Sequence, residues 1–151
     1  MNVFKTSEMI EFAIQIEKNG EKFYRESVKL IPDERIKTLF SDLADQELEH
    51  KKVFESFLKK VENYNPPELY NDDYFSYLRA YADTKIFNKK LPRIKEPTEA
   101  IRFALDIEKD SILYYSESKN FVHDDDKKIL DGIIEEERKH FLRLWELLKK
   151  Q

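Results

Sequence analysis

Asp45-Gln46-Glu47-Leu48-Glu49-His50 and Glu135-Glu136-Glu137-Arg138-Lys139-His140 both end in the tetrad Glu-x-x-His, and the two tetrads lie 90 residues apart. About 30 residues upstream of each stands a further Glu inside an Ile-Glu-Lys tripeptide, Ile16-Glu17-Lys18 and Ile107-Glu108-Lys109. On a helix, residues i and i+3 share a face, so each tetrad aims one carboxylate and one imidazole at the same point. A bundle that gathers the four segments offers four Glu and two His to one interior volume, the ligand set of a two-metal carboxylate site.

The sequence around these motifs repeats. Ala13 to Lys18 aligns with Ala104 to Lys109, Phe23-Tyr24 with Tyr114-Tyr115, and Ser27 with Ser118. Leu43, Glu47, His50, Phe54, Phe57 and Leu58 align with Ile133, Glu137, His140, Leu144, Leu147 and Leu148. Apolar residues recur at the helical period through four long segments. The first helix is expected from about Ser7 to Leu30, capped by Thr6 or Ser7, and the second from Asp33, its candidate N-cap, to about Glu62. The third is expected from Thr98, a candidate N-cap, to about Asn120. The fourth follows the turn at 121–125 and runs to about Lys150. A duplicated helical hairpin (7–62 and 98–150) joined by a crossover (63–97) accounts for the whole pattern. The crossover is expected to hold a shorter helix from Glu68 to Asn88, with Tyr70, Tyr74, Tyr77, Leu78 and Tyr81 as an aromatic stripe. The expected fold is therefore all-α: an antiparallel four-helix bundle in a single domain, 1–151, with a long helical crossover between helices 2 and 3.

Helix rise tests the convergence. Reflecting Glu17 through the first turn lands beside Glu47, and reflecting Glu108 through the second lands beside Glu137, so each pair sits at matching height. All four Glu fall near mid-helix, where an unpaired carboxylate facing a core costs several kcal/mol. Two divalent cations balance four carboxylates and remove that cost. Carboxylates with one imidazole per ion suit iron(II) or manganese(II), and zinc less exclusively. Calcium does not favour imidazole.

Neighbouring positions admit two readings each. Tyr24 and Tyr115, seven residues beyond Glu17 and Glu108, are either phenols that hydrogen-bond a ligand and supply a proton or electron, or core aromatics. Glu21, one turn beyond Glu17, is either an extra ligand or a surface acid. Gly20 and Ser111 either leave room for an exogenous molecule or serve helix packing. Glu136 rivals Glu137, but the match to Glu47 favours Glu137. Trp145 is expected in the core, and His123 falls in a loop with no assigned role.

Composition narrows the rest. The 151 residues include 38% charged and 40% apolar types, which fits long amphipathic helices, and only two Gly and five Pro, which disfavours an all-β fold. The formal charge of −4 offers no general attraction to nucleic acid or anionic membranes. The absence of Cys excludes disulfides, thiol nucleophiles and Cys-ligated clusters within the chain. No signal peptide or membrane span is evident, so a cytoplasmic protein is expected.

At Ile16–Tyr24, Asp45–His50, Ile107–Ser111 and Glu135–His140 the chain resembles the rubrerythrin branch of the ferritin-like superfamily. The resemblance covers essentially the whole chain. It implies a di-iron-carboxylate bundle in which Glu17, Glu47, Glu108 and Glu137 bind two iron ions, with Glu47 and Glu137 bridging and His50 and His140 terminal. It further implies reaction with hydrogen peroxide or oxygen in an oxidative-stress role, and pairing into homodimers. Full-length rubrerythrins add a rubredoxin-like domain with Cys-bound iron. This chain has no Cys, so its electrons are expected from an external donor such as a separate rubredoxin. Typical members also place a Glu three residues after the third-helix ligand; here that position is Ser111, so efficient peroxidase activity is not implied. The alternatives are ferroxidase-type iron handling, a metal-binding helical scaffold without catalysis, and oxygenation of an organic substrate.

Overall fold

The computed structural model describes residues 5–61, 72–84 and 96–151. Its helices are α1 (Thr6–Leu30), α2 (Glu34–Val61), α3 (Asp72–Ala82), α4 (Pro97–Ser118) and α5 (Lys127–Lys149), with single 3-10 turns at Lys119–Phe121 and Asp124–Asp126 before α5. No strand occurs among the described residues.

Each long helix buries one stripe. On α1 the stripe is Met9, Ile10, Ala13, Glu17, Gly20, Phe23, Tyr24 and Ser27, in steps of three and four. On α2 it runs from Ile36 through Leu43, Glu47, His50 and Phe54 to Val61. On α4 it passes from Ala100 through Glu108 and Ser111 to Ser118, and on α5 from Leu130 through Glu137 and His140 to Leu147. The apolar parts of these stripes form two clusters. One joins the start of α1 to the ends of α2 and α4 and the start of α5, through Met9, Phe54, Tyr115 and Ile133. The other joins the end of α1 to the starts of α2 and α4 and the end of α5, through Phe23, Phe40, Ile101 and Leu144. The Glu and His positions lie between the clusters, in a polar layer across the middle of an apolar bundle.

These memberships set the topology. α1 runs antiparallel to its neighbours α2 and α4, and α5 antiparallel to α4 and α2. α2 ends in the cluster farthest from where α4 begins, so the α2–α4 connection joins opposite ends of the bundle. Its described part, α3, adds Phe75, Leu78 and Ala82 to the first cluster. Arg79 pairs with Glu8 of α1, and the Tyr74 hydroxyl donates to Glu117 Oε2 of α4 at 2.6 Å.

The hairpin turn at Ile31–Asp33 is capped as expected: Asp33 Oδ1 accepts the Arg35 N–H at 2.8 Å and the Ile36 N–H at 3.3 Å. Other expectations change. The N-cap of α1 is Lys5, whose N–H donates to the Glu8 carboxylate at 3.4 Å. Thr6 lies inside the helix and is buried, its hydroxyl donating instead to the Phe121 carbonyl at 2.7 Å across the two hairpins. The N-cap of α4 is Glu96 rather than Thr98, because Pro97 occupies the first helical position, where its missing N–H costs nothing. The crossover helix is described only from Asp72 to Ala82; the remainder of the Glu68–Asn88 expectation, Tyr70 included, lies outside the described residues. The aromatic stripe does not form one face, since Tyr77 is 56% exposed while Phe75 and Leu78 are buried. Trp145 is not in the core: it is 45% exposed, with the Lys149 ammonium 5.9 Å from its ring. No helix among the described residues is long and apolar enough to cross a membrane.

Candidate metal centre

Glu17 comes from α1, Glu47 and His50 from α2, Glu108 from α4, and Glu137 and His140 from α5. All six are at most 3% exposed. Their ligand-type atoms form two overlapping groups, Glu17, Glu47, His50 and Glu137, and Glu47, Glu108, Glu137 and His140, with the atoms of each group within 4.8 Å of one another. Glu47 and Glu137 belong to both. The two shared carboxylates are therefore those of the Glu-x-x-His tetrads, as their position between the duplicated hairpins requires.

The two His turn the same ring nitrogen inward. His50 Nδ1 lies 2.7 Å from Glu137 Oε1 and 3.6 Å from Glu17 Oε1. His140 Nδ1 lies 3.6 Å from Glu108 Oε2 and 3.7 Å from both Glu47 Oε1 and Glu137 Oε2. The rings stack at 5.8 Å between centroids with 17° between planes. Nε2 of each faces away, 2.5 Å from Glu136 Oε2 for His50 and 2.5 Å from Gln46 Oε1 for His140. Both partners are acceptors, so each Nε2 carries the hydrogen, and in the neutral ring the Nδ1 lone pair faces the centre.

The tyrosines complete a two-fold pattern. Tyr24, on α1, donates its hydroxyl to Glu108 Oε1 at 2.7 Å, and Tyr115, on α4, donates to Glu17 Oε1 at 2.6 Å. Each phenol thus holds the carboxylate contributed by the opposite hairpin. Burial, and then the nearby carboxylates (Glu108 first for Tyr24, Glu17 first for Tyr115), push both phenols well above their usual range, so they remain neutral donors.

Packing at one position is unusually close. A Cβ built on Gly20 would lie 2.9 Å from Glu47 Oε2 and 3.3 Å from its Cδ. Glycine here lets the α1 backbone approach the shared carboxylate. The equivalent Ser111 is buried, and its hydroxyl donates to the Ile107 carbonyl at 2.9 Å within α4. Glu21 is not brought into the cluster: it accepts the Arg25 Nε–H at 2.9 Å on the outer face. His123 also lies outside, its carbonyl accepting the Asp126 N–H at 2.9 Å.

The electrostatics of the cluster without cations are severe. Burial, with Glu137 beside it, pushes Glu108 up to about 8. Burial and then Glu17 and Glu108 push Glu47 well above the carboxylate range, and burial and then Glu137 raise Glu17. Glu137 moves the other way. Burial and Glu47 oppose its charge, but contacts with Glu108 and with both His outweigh them. Burial also opposes charge on the imidazoles. Even so, contacts with Glu137 and Glu17 push His50 up to about 12, and contacts with Glu108, Glu137 and Glu47 do the same for His140. Protons thus stand in for positive charge.

A metal pair fits these residues. Eight inward atoms are buried without a well-directed hydrogen bond: Glu17 Oε2, both oxygens of Glu47 and of Glu137, Glu108 Oε2, and Nδ1 of both His. Several are close enough for ion pairing yet are not angled as hydrogen bonds. Orphaned buried polar atoms in such number are rare in folded proteins, and all eight belong to the six residues of the two overlapping groups. The donor set, carboxylate oxygens with one imidazole per position, suits a first-row transition-metal ion better than calcium.

Two contacts were not foreseen from sequence, those of Gln46 and Glu136 with the outer His nitrogens. The available signal was a polar residue directly before each tetrad Glu, at equivalent places in the repeat.

The rubrerythrin family model matches residues 8–148. Among solved structures, the chain is similar to a protein from Thermotoga maritima assigned to the ferritin-like diiron-carboxylate class. The two share 28% sequence identity and a TM-score of 0.70, over 99% of this chain and 97% of that one. No curated protein matches.

Proposed function

The chain belongs to the rubrerythrin family, and on that premise we propose that it is a di-iron-carboxylate redox protein that reduces hydrogen peroxide or oxygen with electrons from a separate donor. The observation that carries this reading is the pair of overlapping ligand groups sharing Glu47 and Glu137. Each metal position would receive two shared carboxylates, one further carboxylate and one imidazole: Glu17 and His50 on one side, Glu108 and His140 on the other. A bound iron pair supplies the electrons and the Lewis acidity for peroxide reduction.

The chain's own residues do the rest. The two apolar clusters seal the polar layer above and below, which limits water and strengthens electrostatics inside. Tyr24 and Tyr115 orient Glu108 and Glu17 and keep a phenolic proton beside each. Reduction of one peroxide to two waters takes two electrons and two protons. No Cys stands among these 151 residues, so in this reading the electrons reach the centre from a donor outside them.

One observation favours a second reading. Ser111 commits its hydroxyl to the helix backbone, so this position adds no carboxylate to the centre. That suits ferroxidase-type iron handling, in which iron is oxidised with no donor present.

The test is anaerobic Fe(II) loading followed by peroxide or oxygen, with elemental analysis. Two irons per chain and faster reaction with peroxide, sustained only when a reductant is added, are expected. Glu47→Ala and Glu137→Ala should each lose both metals, since each residue serves both positions. Full occupancy in either variant would refute the ligand assignment. Turnover of iron without a reductant would select the second reading.

A further inference from the structure

The two metal positions correspond closely, although His50 Nδ1 lies 2.7 Å from Glu137 Oε1 where its counterpart, His140 Nδ1 to Glu47 Oε1, spans 3.7 Å. The Tyr24–Glu108 and Tyr115–Glu17 hydrogen bonds, at 2.7 and 2.6 Å, correspond under the repeat. The bridging carboxylates are shared, and both imidazoles turn Nδ1 inward. A difference of chemical kind lies behind the imidazoles. His50 Nε2 donates to a carboxylate, Glu136, whereas His140 Nε2 donates to a neutral amide, Gln46, each at 2.5 Å.

The surroundings keep this difference in place. Gln46 Nε2 donates to Asp42 Oδ2 at 3.0 Å, and the same oxygen accepts Arg143 Nη1 at 2.5 Å. That chain fixes the amide with its carbonyl toward His140. In the other half, the position equivalent to Asp42 is Gly132, where an added Cβ would meet nothing within 4 Å. The position equivalent to Arg143 is Val53, which is 41% exposed. Glu136 therefore stands behind His50 without a counterpart of that chain, its side chain 54% exposed.

A carboxylate accepting the outer N–H of a ligating imidazole raises its basicity as a donor. A neutral carbonyl does so less, and such outer partners change metal affinity by about 10–100-fold. Half-exposure screens the charge, which places the effect near the lower end, at about 10-fold.

Resting on the di-metal reading above, we propose that Glu136 is a positioning residue that makes the Glu17–Glu47–His50–Glu137 position the tighter of the two, so that the pair fills in order.

The experiment is titration of the metal-free protein with Co(II), followed by calorimetry and by the visible absorption of the bound ion. The wild-type chain should take up two ions in steps separated by about 10-fold, and His50→Ala should abolish the tighter step. Glu136→Gln should weaken the first step by about 10-fold and merge it with the second, while two ions are still taken up. Glu135→Gln, which removes the same formal charge one residue away from an exposed acid, should leave both steps intact. Two ions binding with equal affinity in the wild type, an unaltered first step in Glu136→Gln, or an equal effect from Glu135→Gln would overturn the inference while leaving the di-metal reading standing. No Co(II) uptake by the wild type would overturn both.

Discussion

Gly20→Ala should separate the stability of the bundle from its capacity for metal. An added Cβ would stand 2.9 Å from Glu47 Oε2 and 3.3 Å from Glu47 Cδ, so the carboxylate must retreat by about 0.5 Å to reach ordinary van der Waals contact. In the metal-free protein this costs little, because the displaced atoms are the end of a flexible side chain. Replacing a mid-helix glycine also gains about 1 kcal/mol of helix propensity. The metal-free melting temperature should therefore rise by about 2–4 °C. Metal–ligand distances tolerate only about 0.2 Å, and Glu47 serves both positions, so affinity for Mn(II) or Co(II) should fall at least about 10-fold, or ~1.4 kcal/mol. Gly132→Ala is the internal control. It lies on α5 with nothing within 4 Å of the added carbon, and should gain similar stability with no change in affinity. The assay pairs calorimetric melting of the metal-free proteins with chelator competition. Unchanged affinity in Gly20→Ala, or an equal loss in Gly132→Ala, would refute the claim that glycine is needed for the approach to Glu47.

Tyr115→Phe keeps the ring against Phe54, 5.1 Å between centroids, but removes the hydrogen bond to Glu17. Both metals should still bind, and denaturant unfolding of the metal-free protein should show a loss of about 1–3 kcal/mol; no loss would mean that the hydroxyl contributes nothing. Metal uptake should strengthen as pH rises. The imidazoles are held protonated, up to about 12, and Glu108 up to about 8, so below these values protons compete with cations, and each step up in pH removes competition. Calorimetry in buffers of different ionisation heat should register at least about one proton released per metal near neutral pH. An affinity that stays flat from about pH 6 to 8 would contradict that charge arrangement.

Much of the centre was legible in one dimension. Period and repeat locate the buried stripes, and helix rise alone puts Glu17 level with Glu47 and Glu108 level with Glu137. Asp33 is read as a cap because its side chain bonds backbone only two and three residues away. The readings that failed depend on what covers a face. Thr6 looks like a cap until the second hairpin docks and presents the Phe121 carbonyl to it. Trp145 follows the helical period closely enough to look buried, yet it lies beside the stripe of Leu144 and Leu147, where no helix among those described closes over it.

The amino-acid order alone determined that the chain is a duplicated helical hairpin and which four carboxylates and two imidazoles share its inner faces, because these follow from spacing along single helices. Only the docking of one hairpin on the other decided the rest: which tyrosine holds which carboxylate, and that Glu136 and Gln46 stand behind the two imidazoles. Those contacts join residues some 85 to 100 positions apart, and no local period encodes how two amphipathic faces rotate into register.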